Sequence, residues 1–204
     1  MIYAHRSASL LLLLTTTALL TSCGKEEATP EVKEEATLSR SLVYDPATTS
    51  KAPFVTSYSA ANTKTSARIT PESSTVPTDL LQLSLSGDGP DASDSLHITL
   101  PVFKLKPNWV GTYTLSQSGA DGSTAYTFHN KKSTPTYYAL FYSSIGSITI
   151  TSYDATTRHV SGTYSLAMPR AVDFSDISSV SGPIQTVFGK LTLTGSFSRL
   201  PIAP

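Results

Sequence analysis

The sequence predicts an all-β protein: an antiparallel β-sandwich, with a lipocalin-like β-barrel as the alternative. Three observations carry that expectation. Apolar residues recur with a period of two, as in Leu81, Leu83 and Leu85 or Leu96, Ile98 and Leu100, which marks a half-buried strand. Ser, Thr and Tyr are frequent and charged residues make up only 15% of the chain, a mixture that suits a pleated surface better than a helix. Short strand-like runs are punctuated by Gly, Pro and Asp, and no segment keeps a long 3.6-residue apolar period. Sandwich and barrel give the same alternation, so the pattern leaves both open.

Taken in order, residues 1–22 read as a removed secretory signal. Arg6 lies in the charged start, and a largely apolar run of eleven residues, 10–20, leads to the small residues before Cys23. That run is shorter than the about 20 residues a membrane-spanning helix needs. Residues 23–37 read as an acidic, disordered tether holding Glu26, Glu27, Glu31, Glu34, Glu35 and Pro30. Such a segment buries too little apolar surface to offset the entropy of ordering it, beyond a short helix over 31–36. Residues 38–204 are then one domain, long enough for a sizeable core.

Within the domain, Leu42-Val43-Tyr44, Phe54-Val55 and Ala67-Arg68-Ile69 are short strand candidates separated by Asp45-Pro46, Thr70-Pro71 and Val76-Pro77. The alternating run at 80–86 and the one at 96–100 make a hairpin around the polar loop 87–91. Val102, Phe103 and Leu105 are expected to extend the second strand past Pro101, at a sheet edge. A strand follows from Trp109 to Leu115, then a Gly-rich turn, then strands at 126–128 and 137–142. The last of these is apolar on both faces, the pattern of a central strand. Residues 147–151 and 160–166 form another hairpin, and a long connection with a short helix near Asp173 leads to a final strand ending at Phe197.

One phrase recurs: Gly111-Thr112-Tyr113, Gly162-Thr163-Tyr164 and, more loosely, Gly195-Ser196-Phe197. The flanks do not match, so this is no duplication. It reads as one strand solution used three times, a glycine where the backbone bends or is closely approached and an inward aromatic two residues on.

The stretch Leu20-Thr21-Ser22-Cys23 resembles the bacterial lipobox. The resemblance implies cleavage before Cys23, a diacylglycerol on its sulfur and an acyl chain on its new amine. Cys23 is the only cysteine, so no intramolecular disulfide competes for it. Lys25-Glu26-Glu27 resembles the lipoprotein export signal of Bacteroidota and implies the outer membrane and its external face, with the periplasm-facing leaflet as the alternative. The hairpin at 146–165 and the closing Gly-Ser-Phe strand are similar to small Bacteroidota lipoproteins with a domain of unknown function, over about residues 80–200. That family implies an all-β lipoprotein and supplies no catalytic residues. Asp94-Ser95-Leu96 resembles the three-residue O-glycosylation motif of exported Bacteroidota proteins, which implies a glycan on Ser95.

Formal net charge is zero, which offers no basic field for nucleic acid. There is no Gly-x-Ser-x-Gly elbow, no His-Glu-x-x-His and no cysteine-based zinc spacing. His97, His129 and His159 read as surface residues. Asp88, Asp91 and Asp94 could offer calcium three carboxylates from one loop, though without the spacing of an EF-hand; turn chemistry explains them as simply. Trp109, Tyr137, Tyr138 and Tyr142 could form an aromatic platform for a glycan, or be consumed in packing. The expectation is therefore a non-enzyme without cofactor: a lipid-anchored binding or accessory module whose partner is the membrane plus a glycan or another envelope protein. A structural envelope component and, more weakly, a surface hydrolase are the alternatives.

Overall fold

The computed structural model describes residues 33–44, 52–71, 79–116, 121–131, 137–141, 144–172 and 188–203. They form eleven strands: β1 (Glu35–Tyr44), β2 (Phe54–Tyr58), β3 (Thr63–Pro71), β4 (Asp79–Asp88), β5 (Ala92–Pro101), β6 (Gly111–Leu115), β7 (Ser123–Asn130), β8 (Tyr137–Phe141), β9 (Ile145–Asp154), β10 (His159–Val172) and β11 (Phe188–Ala203). The only helical pieces among the described residues are three-residue 3₁₀ turns, at Ala60–Asn62, Val102–Lys104 and Pro107–Trp109. The fold is all-β, as the alternation predicts.

The strands make one curled sheet of sandwich or barrel-like form, in the order β6-β9-β10-β11-β3-β4-β5-β7-β8, with β1 beside β11 and β2 beside β1. β11 is its spine. Residues 189–198 are zipped between β10 and β1, both antiparallel, and Ile202 and Ala203 then pair in parallel with Ala67 and Arg68 of β3. A bulge lets one strand serve both parts of the sheet. At Ser161 and Gly162 of β10 the register slips against β9 and against β11. Arg199, at φ 52°, bulges opposite, and its N–H donates to Ser161 Oγ at 2.9 Å. A bulge bends and twists the strand that carries it, which turns the end of β11 toward β3. A parallel bridge from Leu115 to Gly122 joins the end of β6 to the start of β7.

The inner face of the curl is the core. Leu38 and Leu42 of β1, Leu81, Leu83 and Leu85 of β4, and Leu96, Ile98 and Leu100 of β5 are fully buried, as are Ile148 and Ile150 of β9 and Leu191 and Leu193 of β11. Each such side chain contributes about 1.5–3 kcal/mol by leaving water. The recurring glycine-aromatic phrase packs reciprocally. Gly162 stands opposite Phe197, and Tyr164 opposite Gly195, across the β10–β11 pair. A methyl group on Gly162 would overlap Phe197 and the Thr149 carbonyl; one on Gly195 would overlap Tyr164 and the Thr37 carbonyl. Tyr113, Tyr164 and Phe197 are all buried, so the inward aromatic is as expected.

Several boundaries differ from the sequence reading. β1 begins at Glu35, so the last three residues read as tether or short helix are strand. There the alternation at Ala36, Leu38, Arg40 and Leu42 outweighs the charged start. Residues 102–105 do not extend β5, because Pro101 is followed by a 3₁₀ turn closed by Leu105 N–H to the Val102 carbonyl. β6 starts two residues later than expected, since Asn108 and Trp109 both have left-handed backbones that no strand tolerates. β8 pairs only with β7 among the described residues, so this aromatic strand lies at the end of the sheet order instead of its centre. The expected short helix near Asp173 lies outside the described residues.

Candidate functional site

Two places concentrate polar or strained chemistry. The first is interior. Arg40 lies on β1 at an inward position between Leu38 and Leu42, and Asp94 lies on β5 two residues before Leu96. Both are buried, at 0% and 1% exposure. Arg40 Nη1 donates to Asp94 Oδ1 at 2.8 Å, and Nη2 donates to Thr56 Oγ1 at 2.7 Å. The guanidinium lies in the corner made by the perpendicular rings of Phe54 and Phe128, 4.6 and 4.5 Å from their centroids. Asp94 also accepts from the hydroxyl of Tyr58 at 2.5 Å and from that of Tyr126. Four strands, β1, β2, β5 and β7, thus meet on one ion pair.

Burial first and Asp94 second, by its hydrogen bond for Tyr58 and by its charge for Tyr126, push these phenols well above their ordinary range. Tyr164 is raised for the same two reasons in the same order, and its hydroxyl donates to the Thr37 carbonyl at 3.0 Å. These phenols are proton-retaining hydrogen-bond donors. Arg40 and Asp94 are removed from solvent, each charge has the other as its partner, and the pair ties β1 to β5. It was legible only in part: extending the period of two back from Leu96 turns Asp94 inward, yet a turn-rich neighbourhood hides this.

The second place is on the surface, in the connection 102–110 between β5 and β6. Phe103 is 68% exposed and Val110 47%, while Trp109 is half-buried and stacks on Tyr153 of β9, with ring centroids 3.9 Å apart and planes 9° apart. Asn108 at φ 57° and Trp109 at φ 60° are left-handed. For a residue as bulky as Trp this conformation is strained and survives only where surroundings over-determine it. They do so here. Trp109 N–H donates to the Lys106 carbonyl at 2.8 Å, Tyr113 Oη donates to the Trp109 carbonyl at 2.6 Å, and Lys106 N–H donates to Tyr113 Oη at 3.0 Å. Gly111 follows at φ 149°, where any Cβ would strike the Lys106 side chain. Lys106 Nζ reaches the Thr112 carbonyl at 3.2 Å.

Comparison with protein-family models, curated proteins and solved structures finds no match.

The remaining candidates separate. Cys23, Lys25, Glu26, Glu27 and Tyr142 lie outside the described residues. Tyr137 and Tyr138 are placed by their backbone in β8, opposite Asn130 and His129, and their side chains lie outside the described residues. Trp109 takes its aromatic neighbour from β9 instead, a partner the sequence reading did not name.

The three aspartates do not converge. Asp88 pairs with Lys131, whose hydrogen bond and charge hold its carboxyl below the usual range, while Asp94 faces the core. Among the described residues no group of three His, Cys, Asp or Glu side chains is arranged to hold a metal ion. Ser95 is half-buried on the outer face of β5, with Oγ 3.2 Å from His97 Nε2 and 3.4 Å from Ser86 Oγ. Asp94 and Leu96 on either side of it point inward, so an enzyme reading all three side chains can meet them only before β5 pairs with β4 and β7. His97 lies between Ser84 and Ser95 on that outer face, with Asp94 on the other side of the strand.

Proposed function

We propose that this chain is a lipid-anchored envelope protein whose β-domain is a non-catalytic binding or accessory module. The observation that carries the reading is Cys23, the only cysteine, following a short apolar run and small residues, twelve positions before β1 begins at Glu35. A secreted chain has no other use for that thiol within itself, and acylation supplies the more than one lipid chain that stable anchoring needs. The rest of the molecule agrees with a module that holds instead of transforms: its buried charges are neutralised internally, and its strained aromatic residue sits on the surface. The residues Lys25-Glu26-Glu27 make the external face of the outer membrane the proposed location. There a glycan or another envelope protein is the proposed partner of the domain.

Two measurements test this. A fatty-acid analogue supplied to cells should label the wild-type protein, and C23A should lose the label and stay as the longer precursor; label retained in C23A overturns the anchor. Protease added to intact cells should digest the wild-type domain, and alanines at Lys25, Glu26 and Glu27 should protect it. Digestion of neither form until the cells are permeabilised moves the proposed location to the periplasmic face.

A further inference from the structure

We infer that the connection 102–110 is a membrane-docking face, seating Phe103, Val110 and the edge of Trp109 in the headgroup region of the lipid surface that holds Cys23. The inference rests on the proposed lipid anchor and adds to it the orientation of the domain. Composition is the first support. Residues 102–110 hold Val102, Phe103, Leu105, Trp109 and Val110 with two lysines, Lys104 and Lys106, and no acidic residue. Aromatic and aliphatic tips flanked by lysines suit the boundary between water and acyl chains, where cationic head groups meet anionic lipid. Phe103 is the most exposed large apolar residue among the described ones, and Val43, Val55 and Ile145, the other exposed ones, are on other strands.

Position is the second support. Ala36, Phe197, Gly162, Ile150 and Gly111 stand opposite one another in turn across β1, β11, β10, β9 and β6. Glu35 and Val110 therefore flank the same row, and β1 and β6 both run away from it. The chain coming from Cys23 enters the sheet at the end that displays Trp109. Eleven residues lie between Cys23 and Glu35, so these twelve Cα steps span at most about 43 Å when fully extended. A link of that length holds the face near the lipid at roughly millimolar effective concentration, so a patch too weak to bind membranes alone still docks. Asp154, the carboxylate nearest Tyr153 in sequence, is turned into its own loop and accepts from the N–H groups of Thr156 and Thr157. The strained backbone of Trp109, braced by Tyr113 and Tyr153, gives the patch a rigid base.

Trp109 is the only tryptophan, so it is the probe. The full mature lipidated protein is reconstituted into vesicles of phosphatidylethanolamine and phosphatidylglycerol, with and without lipids brominated on the upper acyl carbons. Flotation reports the anchor, and Trp109 fluorescence reports the face. The expected result is flotation together with quenching by bromolipid, and a loss of about half the quenching or more in F103S and in K104E/K106E, both still floating. Flotation without quenching overturns the docking face and leaves the anchor standing; failure of the wild type to float overturns the anchor. Quenching unchanged in both variants also overturns the proposal, as does a Trp109 emission insensitive to bromolipid but shifted by soluble envelope glycan, which would make the turn a glycan site.

Discussion

Arg40 and Asp94 are each a poor interior residue alone and an acceptable pair together. Removing one leaves the other charged, desolvated and unmatched, which typically costs about 3–5 kcal/mol, whereas replacing both with apolar residues of similar volume costs far less. D94A should therefore lower the denaturant-unfolding free energy by about that amount, and D94A combined with R40M should recover part of it. The recovery is incomplete because the Tyr58 and Tyr126 hydroxyls lose their acceptor. A D94A midpoint within error of wild type would remove the cluster from any role in stability. The inward direction of both residues is legible in sequence, since Leu38-x-Arg40-x-Leu42 and Asp94-x-Leu96 continue the period of two. Their meeting is not, because the partners are 54 positions apart and lie on strands whose neighbours no local pattern specifies. Trp109 reads as strand for a related reason: Trp109, Val110, Thr112 and Tyr113 favour a strand, but Pro107, Asn108 and Trp109 form a 3₁₀ turn with a left-handed backbone at Asn108.

At the scale of elements, the β10–β11 pair is held by shape as much as by hydrogen bonds. Each strand contributes a glycine under the other's aromatic ring, so that Phe197 and Tyr164 occupy the space a Cβ would fill. G195A places a methyl group against the Thr37 carbonyl of β1 and the Tyr164 ring at once, so one of them must shift. Overpacking of this kind costs about 1–3 kcal/mol, and G195A should unfold at correspondingly lower urea; Y164A on the G195A background should recover less than it loses, since the ring is itself core. Wild-type stability in G195A would show that β1 and β10 can shift relative to β11. The three Gly-aromatic phrases announced this packing in the sequence. Strand order did not announce itself: β8 carried the apolar signature of a central strand yet ends the sheet, and the parallel seam between β11 and β3 rests on only two residue pairs.

Across the whole molecule, the first and last strands close on each other, with Thr37 Oγ1 bonded to Ser196 Oγ from 159 positions away. Among the described residues, the interior they close around holds one carboxylate, Asp94, and three tyrosines whose titration it shifts in the same direction. Tyr58, Tyr126 and Tyr164 are all raised by burial and then by Asp94, through its hydrogen bond for Tyr58 and its charge for Tyr126 and Tyr164. In the unfolded chain a tyrosine loses its proton near pH 10, whereas in the folded state these three keep theirs to higher pH. Above that point the unfolded state binds fewer protons than the folded one, so stability must fall as pH rises. Below it the contribution is fully present. Each tyrosine adds a slope of about 1.4 kcal/mol per pH unit once its unfolded counterpart is ionised. Urea unfolding followed from about pH 8 to about pH 11 should show a declining midpoint that steepens past the unfolded phenol range. Y126F separates the two effects. At neutral pH it should be less stable by about 1.5–3 kcal/mol, through the lost hydrogen bond to Asp94, yet its decline at alkaline pH should be shallower by about one tyrosine's slope. A Y126F profile parallel to wild type throughout would mean that Tyr126 ionises in the fold as it does in water, and that the closed interior around Arg40 and Asp94 admits solvent.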